Sequence, residues 1–476
     1  MQLTTAKMAI LALFILCALP VGVMFTVLTP PGQANDEETH LIRAAGLLHG
    51  AIFGVRKPGT DPMTGQPILV AGVKCNPMVP LYVYFGTATV AGRPVVTAQT
   101  YRAGMALTSY HANNFWIIPT TVTYPPETYL PASLGLAIGI GLGLPAHSCF
   151  LLARLFMLAA FLGLGAAALI LAAYGEAIIL TALLLPITLF DAGSVNQDGV
   201  LIGMVCLACA ALSRPTRRRR WLAALLLALL VCSKQPYAPL LALLALPLYE
   251  AGLWQRLRLA LLALLPALLW TGLALAFVST PASFQPYHAG PLYRGDHIAW
   301  LDHGNAIANL HILLQAPALL VTLPWQSLCL SGAGLYHSMI FQLGYALNDV
   351  PSWYITLWSL SLLLSLISLF LARRHESGHP PARVKTLAFV LLLLLASVWL
   401  LCIGMYVMMT RVGDDHIYGL QGRYLIIYLP ALILSAPAAW AGWRLPAWVP
   451  YLPIAALGIF DLGYLPALLV NGYYLH

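Results

Sequence analysis

The sequence predicts an all-α polytopic membrane protein, and three observations carry that prediction. Hydrophobic residues make up 60% of the 476 positions and charged residues only 8%, against roughly 25% charge in a soluble domain. The apolar runs Met8–Leu28, Leu151–Tyr174, Leu259–Val278 and Thr386–Met409 are each about long enough to cross a hydrocarbon core of ~30 Å as helix. The runs are Leu-rich without strict alternation, which selects helix over barrel strand, the two backbones that satisfy their own hydrogen bonds in lipid.

The first run follows Lys7 and stops before Pro30-Pro31. It exceeds the ~7–15-residue apolar core of a cleaved signal, so it reads as an uncleaved first helix with the N-terminus inside. The formal charge of +8 would suggest a nucleic-acid partner in a soluble protein. Here the basic residues gather between apolar runs: Arg214 with Arg217–Arg220, Arg256 with Arg258, and Arg373, Arg374, Arg383 and Lys385. The positive-inside rule makes these cytoplasmic loops and removes nucleic acid from the expected partners.

Residues 29–130 then form the first extracytoplasmic loop. It opens with an amphipathic helix over Asp36–Gly50, suited to lying on the outer membrane surface with its polar face towards a cleft, and continues through Pro80–Phe85 and Pro94–Thr97, which alternate as short strands do. Loops of this size are usually functional. Four apolar pieces precede the arginine run: Ala132–Leu144, Phe150–Tyr174, Ile178–Leu189 and Gly199–Leu212. Parity requires one not to cross. Ala132–Leu144 is short and holds Gly135, Gly139, Gly141 and Gly143, so it is taken as re-entrant or interfacial, which puts Asp191–Asp198 on the outer face. Trp221–Tyr249 is broken by Ser233-Lys234-Gln235-Pro236 and reads as two half-length helices. A second extracytoplasmic loop covers 279–353, with a helix at His311–Leu328 that lies at the interface or dips in. A crossing to Arg373, a return to Met409, an outer loop Arg411–Arg423 and two last helices bring the count to about eleven transmembrane helices. All belong to one integral membrane domain, 1–476.

Cys17, Cys149, Cys206, Cys209, Cys232 and Cys402 lie in apolar runs, where they act as small apolar residues. Cys206-x-x-Cys209 has redox or metal spacing, but no His or acid stands beside it, which favours packing. Cys75 and Cys329 are the pair able to meet outside the membrane.

The chemistry-bearing residues concentrate in the outer loops. On a helix wheel Asp36, Thr39, His40 and Arg43 share one face, with Leu41, Ala45 and Leu48 opposite. An acid, a histidine and an arginine together suit general-base work beside an anion. A plain helix start explains the same residues, with Asn35 as N-cap and Glu38 completing a capping box. Lys234 and Arg423 are cations where the topological bias disfavours them. They suit a phosphate held at the leaflet surface; the alternative is snorkelling, or pairing with Asp191, Asp198, Asp414 or Asp415. Asn113, Asn114, Trp116, Tyr124, Tyr129, Trp300, Asn305 and Asn309 combine amides and aromatics. That mixture suits sugar recognition, although an interfacial aromatic belt accounts for much of it. His297, Asp302, His303 and His311 have metal-ligating side chains at a spacing that matches no template, so no metal ligand is assigned. There is no P-loop, no GxSxG and no nucleotide-binding glycine pattern, which argues against an ATP-driven pump.

Several ordered segments resemble one family. Asn35-Asp36-Glu37-Glu38-Thr39-His40 with Arg43 is similar to its Pro-Asp-Glu-x-x-His segment, with Asn35 in place of the proline. Tyr124-Pro125-Pro126 through Tyr129-Leu130-Pro131, Ala153-Arg154-Leu155, Leu185-Pro186-Ile187-Thr188, and Ser194 with Asp198 follow. Ser233-Lys234-Gln235-Pro236-Tyr237 looks like its Lys-Pro-x-Tyr segment, and Gln342-Leu343-Gly344 and Gln421-Gly422-Arg423-Tyr424 complete the series. The chain thus resembles the bacterial membrane proteins called domain of unknown function 2142. That family is similar to membrane glycosyltransferases of the C-type fold. The resemblance implies a bacterial inner-membrane enzyme that moves a sugar from a polyprenyl-phosphate donor to an envelope glycan, lipid or protein outside the cytoplasm. It implies catalytic roles for Asp36, as general base or in positioning the acceptor, and for Glu37 second. The substrate-binding set expected from the same motifs is His40, Arg43, Tyr124, Lys234, Gln421, Arg423 and Tyr424. A divalent metal stays open as a cofactor. Ser194 and Asp198 stand four apart, wider than in the family, which leaves the role of Asp198 open.

Two other classes compete. A transporter or flippase of lipid-linked sugars predicts paired broken helices and ionisable residues near mid-membrane, for which Glu176 and Lys234 are the candidates. A non-catalytic assembly partner predicts that replacing Asp36 changes nothing.

Overall fold

The computed structural model describes residues 4–475 except 61–64, 66, 89–101, 103, 108–112, 248–251, 281–285, 288–289, 294–298, 301–304, 345–346, 348, 372–383 and 436–445. The expected strand Pro94–Thr97, the cations Arg373, Arg374 and Arg383, and the loop residues His297, Asp302 and His303 lie outside the described residues.

The molecule is predominantly helical. Among the described residues, six helices are long and apolar enough to cross a membrane: α1 (Thr5–Leu28), α5 (Ala146–Leu171), α10 (Leu253–Phe277), α13 (Ser352–Leu371), α14 (Val384–Met409) and α16 (Tyr451–Tyr473), the four-residue α15 (Arg423–Ile426) being too short. Two bent pairs raise the number to eight, α7 (Pro186–Ala192) with α8 (Gln197–Ser213) at 114° and α11 (Ala306–Gln315) with α12 (Leu319–Ile340) at 111°. The sequence-based count of about eleven included shorter pieces that prolines interrupt. α6 (Glu176–Leu184) ends before Pro186, α9 (Arg217–Ser233) ends before Pro236, and Gln235–Ala245 continues as 3₁₀ turns. The single helix expected to lie at the interface or dip in at His311–Leu328 is the bent pair α11–α12, broken between Gln315 and Leu319.

Every residue of α8 is buried. A helix apolar on all sides is one surrounded by protein. The Lys7 ammonium bonds the Ile170 carbonyl at 2.9 Å and pairs with Glu176 at 3.8 Å, and Arg219 bonds the Leu171 carbonyl at 3.2 Å. The starts of α1, α6 and α9 and the end of α5 therefore share one end of the bundle. At the opposite end the Tyr474 hydroxyl bonds the Leu28 carbonyl at 2.9 Å, so α16 runs parallel to α1. Helix α4 (Leu130–Gly141) forms a hairpin with the first turns of α5. Gly135 permits that approach, because a Cβ there would lie 2.5 Å from the Leu152 carbonyl oxygen. At 12 residues, α4 spans about 18 Å, short of a hydrocarbon core.

The described part of residues 29–130 folds against this end of the bundle and differs from expectation in three ways. Helix α2 (Glu37–Leu47) does not lie on a surface: Glu37, His40, Leu41, Ile42, Arg43, Ala44, Ala45 and Gly46 are all buried. On its polar face His40 and Arg43 meet hydrogen-bonding protein groups, while Asp36 at its start stays exposed. Met78–Ala88 is helix α3, not the strand expected at Pro80–Phe85. The strands are β1 (Val55–Thr60), β2 (Pro67–Cys75) and β3 (Asn114–Ile117), antiparallel in the order β1-β2-β3. Cys75 is buried and Cys329 exposed, both with free thiols, so they do not meet.

Candidate functional site

The site lies where the N-terminus of α2, the α7–α8 turn, the end of α9 and the segment 421–424 converge. Each element stops there for a local reason. The sharp α7–α8 bend is set by Gly193, whose Cβ position lies 3.0 Å from the Gly22 carbonyl oxygen, and by Asn196, whose Oδ1 accepts from the Asp198 N–H at 2.9 Å as N-cap. Lys234 is the C-cap of α9 in an extended conformation, two residues before Pro236, whose ring cannot continue an α-helix. Its cation also suits a helix C-terminus. Gly422 lets Arg423 approach α12, since a Cβ there would lie 2.1 Å from Met339 N.

Asp36 occupies the N-cap position of α2 with φ 59°, the only positive φ at a non-glycine among the described residues. Its side chain makes no cap hydrogen bond, so the capping box expected from Asn35 and Glu38 does not form. The Asp36 carboxylate reaches Arg423 instead, Nη2 to Oδ2 at 3.0 Å. Arg423 Nε lies 2.9 Å from Asp198 Oδ2, within ion-pair range but off the line of a hydrogen bond. The other Asp198 oxygen accepts from the Lys234 ammonium. Both cations border one aromatic ring, Lys234 Nζ at 4.2 Å and the Arg423 guanidinium at 5.5 Å from the Tyr424 centroid. The Tyr237 hydroxyl, donating to the Tyr424 carbonyl at 3.1 Å, holds that segment in place.

His40 follows Asp36 by one turn. Its Nδ1 is 2.6 Å from the Tyr129 hydroxyl, and its ring stacks on Tyr124 at 6.1 Å and on Tyr129 at 5.6 Å. Burial pushes its imidazole down to about 4, with Lys234 and Arg423 acting in the same sense against Asp36 and Asp198. His40 is therefore neutral near pH 7. Burial also raises the Tyr124 and Tyr129 phenols, which stay protonated donors.

The structure thus brings together Asp36, His40, Tyr124, Lys234, Arg423 and Tyr424 from the expected set. It sends three expected residues elsewhere. Glu37 is buried with both carboxylate oxygens on Arg154, at 2.7 Å and 2.6 Å, and Oε1 also accepts from Val195 N at 3.0 Å. Arg154 extends that knot to the carbonyls of Thr26, Thr29 and Pro30. Glu37 is thereby an anchor for the chain around the site, with no oxygen left for a substrate. Arg43 spends its guanidinium on the carbonyls of Ala51, Ile52 and Tyr124 at 2.7–3.1 Å, so it fastens the loop rather than holding an anion. Gln421 lines a groove of about 320 Å³ against α12 with Ser331, Gly334, His337, Ser338 and Gln342.

Sequence reasoning left Asp198 open, and the structure makes it the hub that two cations share. The signal was an acid opening an otherwise apolar helix. Arg154 stood in a recognised segment without a role; a lone arginine in an apolar run needs a partner. Asp191 is 1% exposed, with neither carboxylate oxygen hydrogen-bonded. Asp461, in the middle of α16, was also missed; it is buried and accepts from the Tyr354 hydroxyl at 2.7 Å. Among the described residues, no group of three or more His, Cys, Asp and Glu side chains is placed to hold a metal ion.

The family model described as predicted membrane protein, DUF2142, matches residues 19–434. The chain belongs to that family. The match runs from α1 through the segment that carries Arg423, and so contains every residue of the charged site in this DUF2142 chain. No curated protein and no solved structure matches it.

Proposed function

We propose that this DUF2142 protein is a membrane glycosyltransferase that moves a sugar from a polyprenyl-phosphate donor to an envelope acceptor. The single observation that supports this most is the Asp36–Arg423–Asp198–Lys234 chain of ion pairs, which sets a half-exposed carboxylate beside two cations at one end of the bundle. Helix α8 has 17 residues, which places the site about 25 Å from the arginine run at Arg217–Arg220. Under the positive-inside rule the arginine end is cytoplasmic and the site faces outward. A lipid-linked donor keeps its phosphate at that level.

In this reading Lys234 and Arg423 hold the donor phosphate. Asp36 accepts the proton of an acceptor hydroxyl as its oxygen attacks the anomeric carbon. The bond from that carbon to the phosphate oxygen breaks, and its electron pair stays on the phosphate. The new negative charge forms beside the two cations, where preorganised charge is most effective. Neutral His40 and the Tyr124 ring line the approach as hydrogen-bonding and stacking groups. The bacterial inner membrane is the proposed location.

Two observations favour the transporter reading: the bent pairs α7–α8 and α11–α12, since transporter sites are built from paired broken helices, and Asp461, since an acid within a membrane helix is a functional candidate by default. Asp461 bonds Tyr354 across α13 and α16, which suits a link between helices as well as a proton site. The deciding experiment supplies the purified protein, in nanodiscs, with labelled polyprenyl-phosphate sugars and an envelope extract as acceptor. Release of polyprenyl phosphate that requires the extract supports transfer. Movement of labelled lipid between leaflets without release supports transport and sinks the enzyme.

A further inference from the structure

We propose that a phosphate anion and Asp36 compete for one edge of Arg423, so that Asp36 is released for chemistry only once the phosphate has arrived. The inference rests on the proposed reading of the site and adds an order of events to it.

Arg423 is gripped from two sides, and the grips are unequal. Asp198 is 5% exposed and holds Lys234 as well, whereas Asp36 is 50% exposed. Losing Asp198 would strand two cations in a dry site. Losing Asp36 releases a carboxylate that water already half covers. Asp36 is therefore the ligand that leaves.

The guanidinium has capacity for the exchange. Arg423 is 2% exposed, and its Nη1 is buried without a hydrogen-bond partner. An unspent buried donor is costly, and it marks a place for an acceptor. A phosphate on Nη1 and Nη2 would use the planar fork of the guanidinium, the geometry that suits tetrahedral oxyanions. Lys234, over the face of Tyr424, adds a second cation without leaving Asp198.

The backbone supports the same view. Asp36 holds φ 59°, a conformation that aspartate tolerates but does not favour. That conformation swings its carboxylate away from the cap position of α2 and onto Arg423. While Oδ2 accepts from Arg423, part of the Asp36 carboxylate is engaged by the cation. The order follows: the phosphate-bearing ligand binds first and the acceptor second. An acceptor entering an empty site meets a carboxylate that is already engaged, which protects the site from idle chemistry.

The test is equilibrium binding to the full-length protein in nanodiscs. The probes are farnesyl phosphate, farnesol and inorganic phosphate, offered to wild type, Asp36→Asn and Arg423→Gln. Asp36→Asn keeps size and polarity at a half-exposed position, so it removes the competitor without disturbing the fold. Exchange predicts that Asp36→Asn binds farnesyl phosphate several-fold more tightly than wild type, that Arg423→Gln loses most of the binding, and that farnesol does not distinguish the three. Equal or weaker binding of farnesyl phosphate by Asp36→Asn overturns the exchange while leaving the donor reading intact. A wild type that binds no farnesyl phosphate overturns both. Inorganic phosphate that binds as tightly as farnesyl phosphate, and more tightly to Asp36→Asn, supports the exchange and assigns it to free phosphate rather than to a lipid headgroup.

Discussion

Replacing Glu37 with alanine should unfold the region around the site rather than slow its chemistry. The Glu37 and Arg154 side chains are 0% and 1% exposed, and the pair is bidentate at 2.7 Å and 2.6 Å. Breaking such a pair from one side leaves an uncompensated buried charge and costs about 3–5 kcal/mol. Losing the acceptor for Val195 N adds about 1–3 kcal/mol for an unsatisfied buried donor. Glu37→Gln should cost less, because an amide oxygen can still accept. Replacing both partners, Glu37→Leu with Arg154→Met, should recover part of the loss, since no charge is then stranded. Recovery stays partial because Arg154 also serves the Thr26, Thr29 and Pro30 carbonyls. The assay is reversible SDS unfolding in mixed micelles, with the double-mutant cycle giving the coupling. The reasoning is refuted if Glu37→Ala unfolds within about 1 kcal/mol of wild type while sugar transfer is abolished. Glu37 would then belong to the chemistry.

Three further outcomes follow from the geometry. Gly422→Ala sets a Cβ 2.1 Å from Met339 N and 2.3 Å from the Leu335 carbonyl oxygen, pushing Arg423 away from its partners; transfer should fall by about 100-fold, with the helical circular dichroism unchanged. Gly72→Ala sets a Cβ 1.8 Å from the Trp116 carbonyl oxygen, so pairing of β2 with β3 should fail, and limited proteolysis should cut residues 55–117 far faster than in wild type. Burial holds His40 at about 4 against an ordinary 6.5, so the unfolded chain takes up this proton first. His40 then costs no stability above about pH 6.5 and up to about 3 kcal/mol as pH falls to about 4; melting curves against pH should show this, and His40→Gln should flatten them.

The fold class was legible because lipid imposes a simple rule, long apolar helices, and α1, α5, α10 and α14 follow it. The site was half legible. Asp36, Lys234 and Arg423 carry charge where an apolar chain has no use for it, and the structure joins Asp36 to Arg423 across 387 residues. The Glu37–Arg154 pair, 117 residues apart, was not legible, because adjacent acids look alike until their partners are known. One faces a cation at the surface of the site, and its neighbour is sealed beneath. The expectation of an interfacial α2 failed for a related reason. A polar stripe on a short helix marks a face that needs partners, and the sequence does not say whether water or buried charge supplies them. The β-strands were missed because β1 contains Pro58 and Gly59, residues that argue against a strand but are tolerated on an edge such as β1.

The most direct test of the central claim is sugar transfer from a panel of polyprenyl-phosphate sugars by the purified protein, wild type beside Asp36→Asn. Transfer by wild type is expected, and its loss in Asp36→Asn, with the variant still folded and still binding farnesyl phosphate. Equal transfer by both would contradict the assignment of Asp36, and no transfer by either across a broad panel would contradict the enzyme itself.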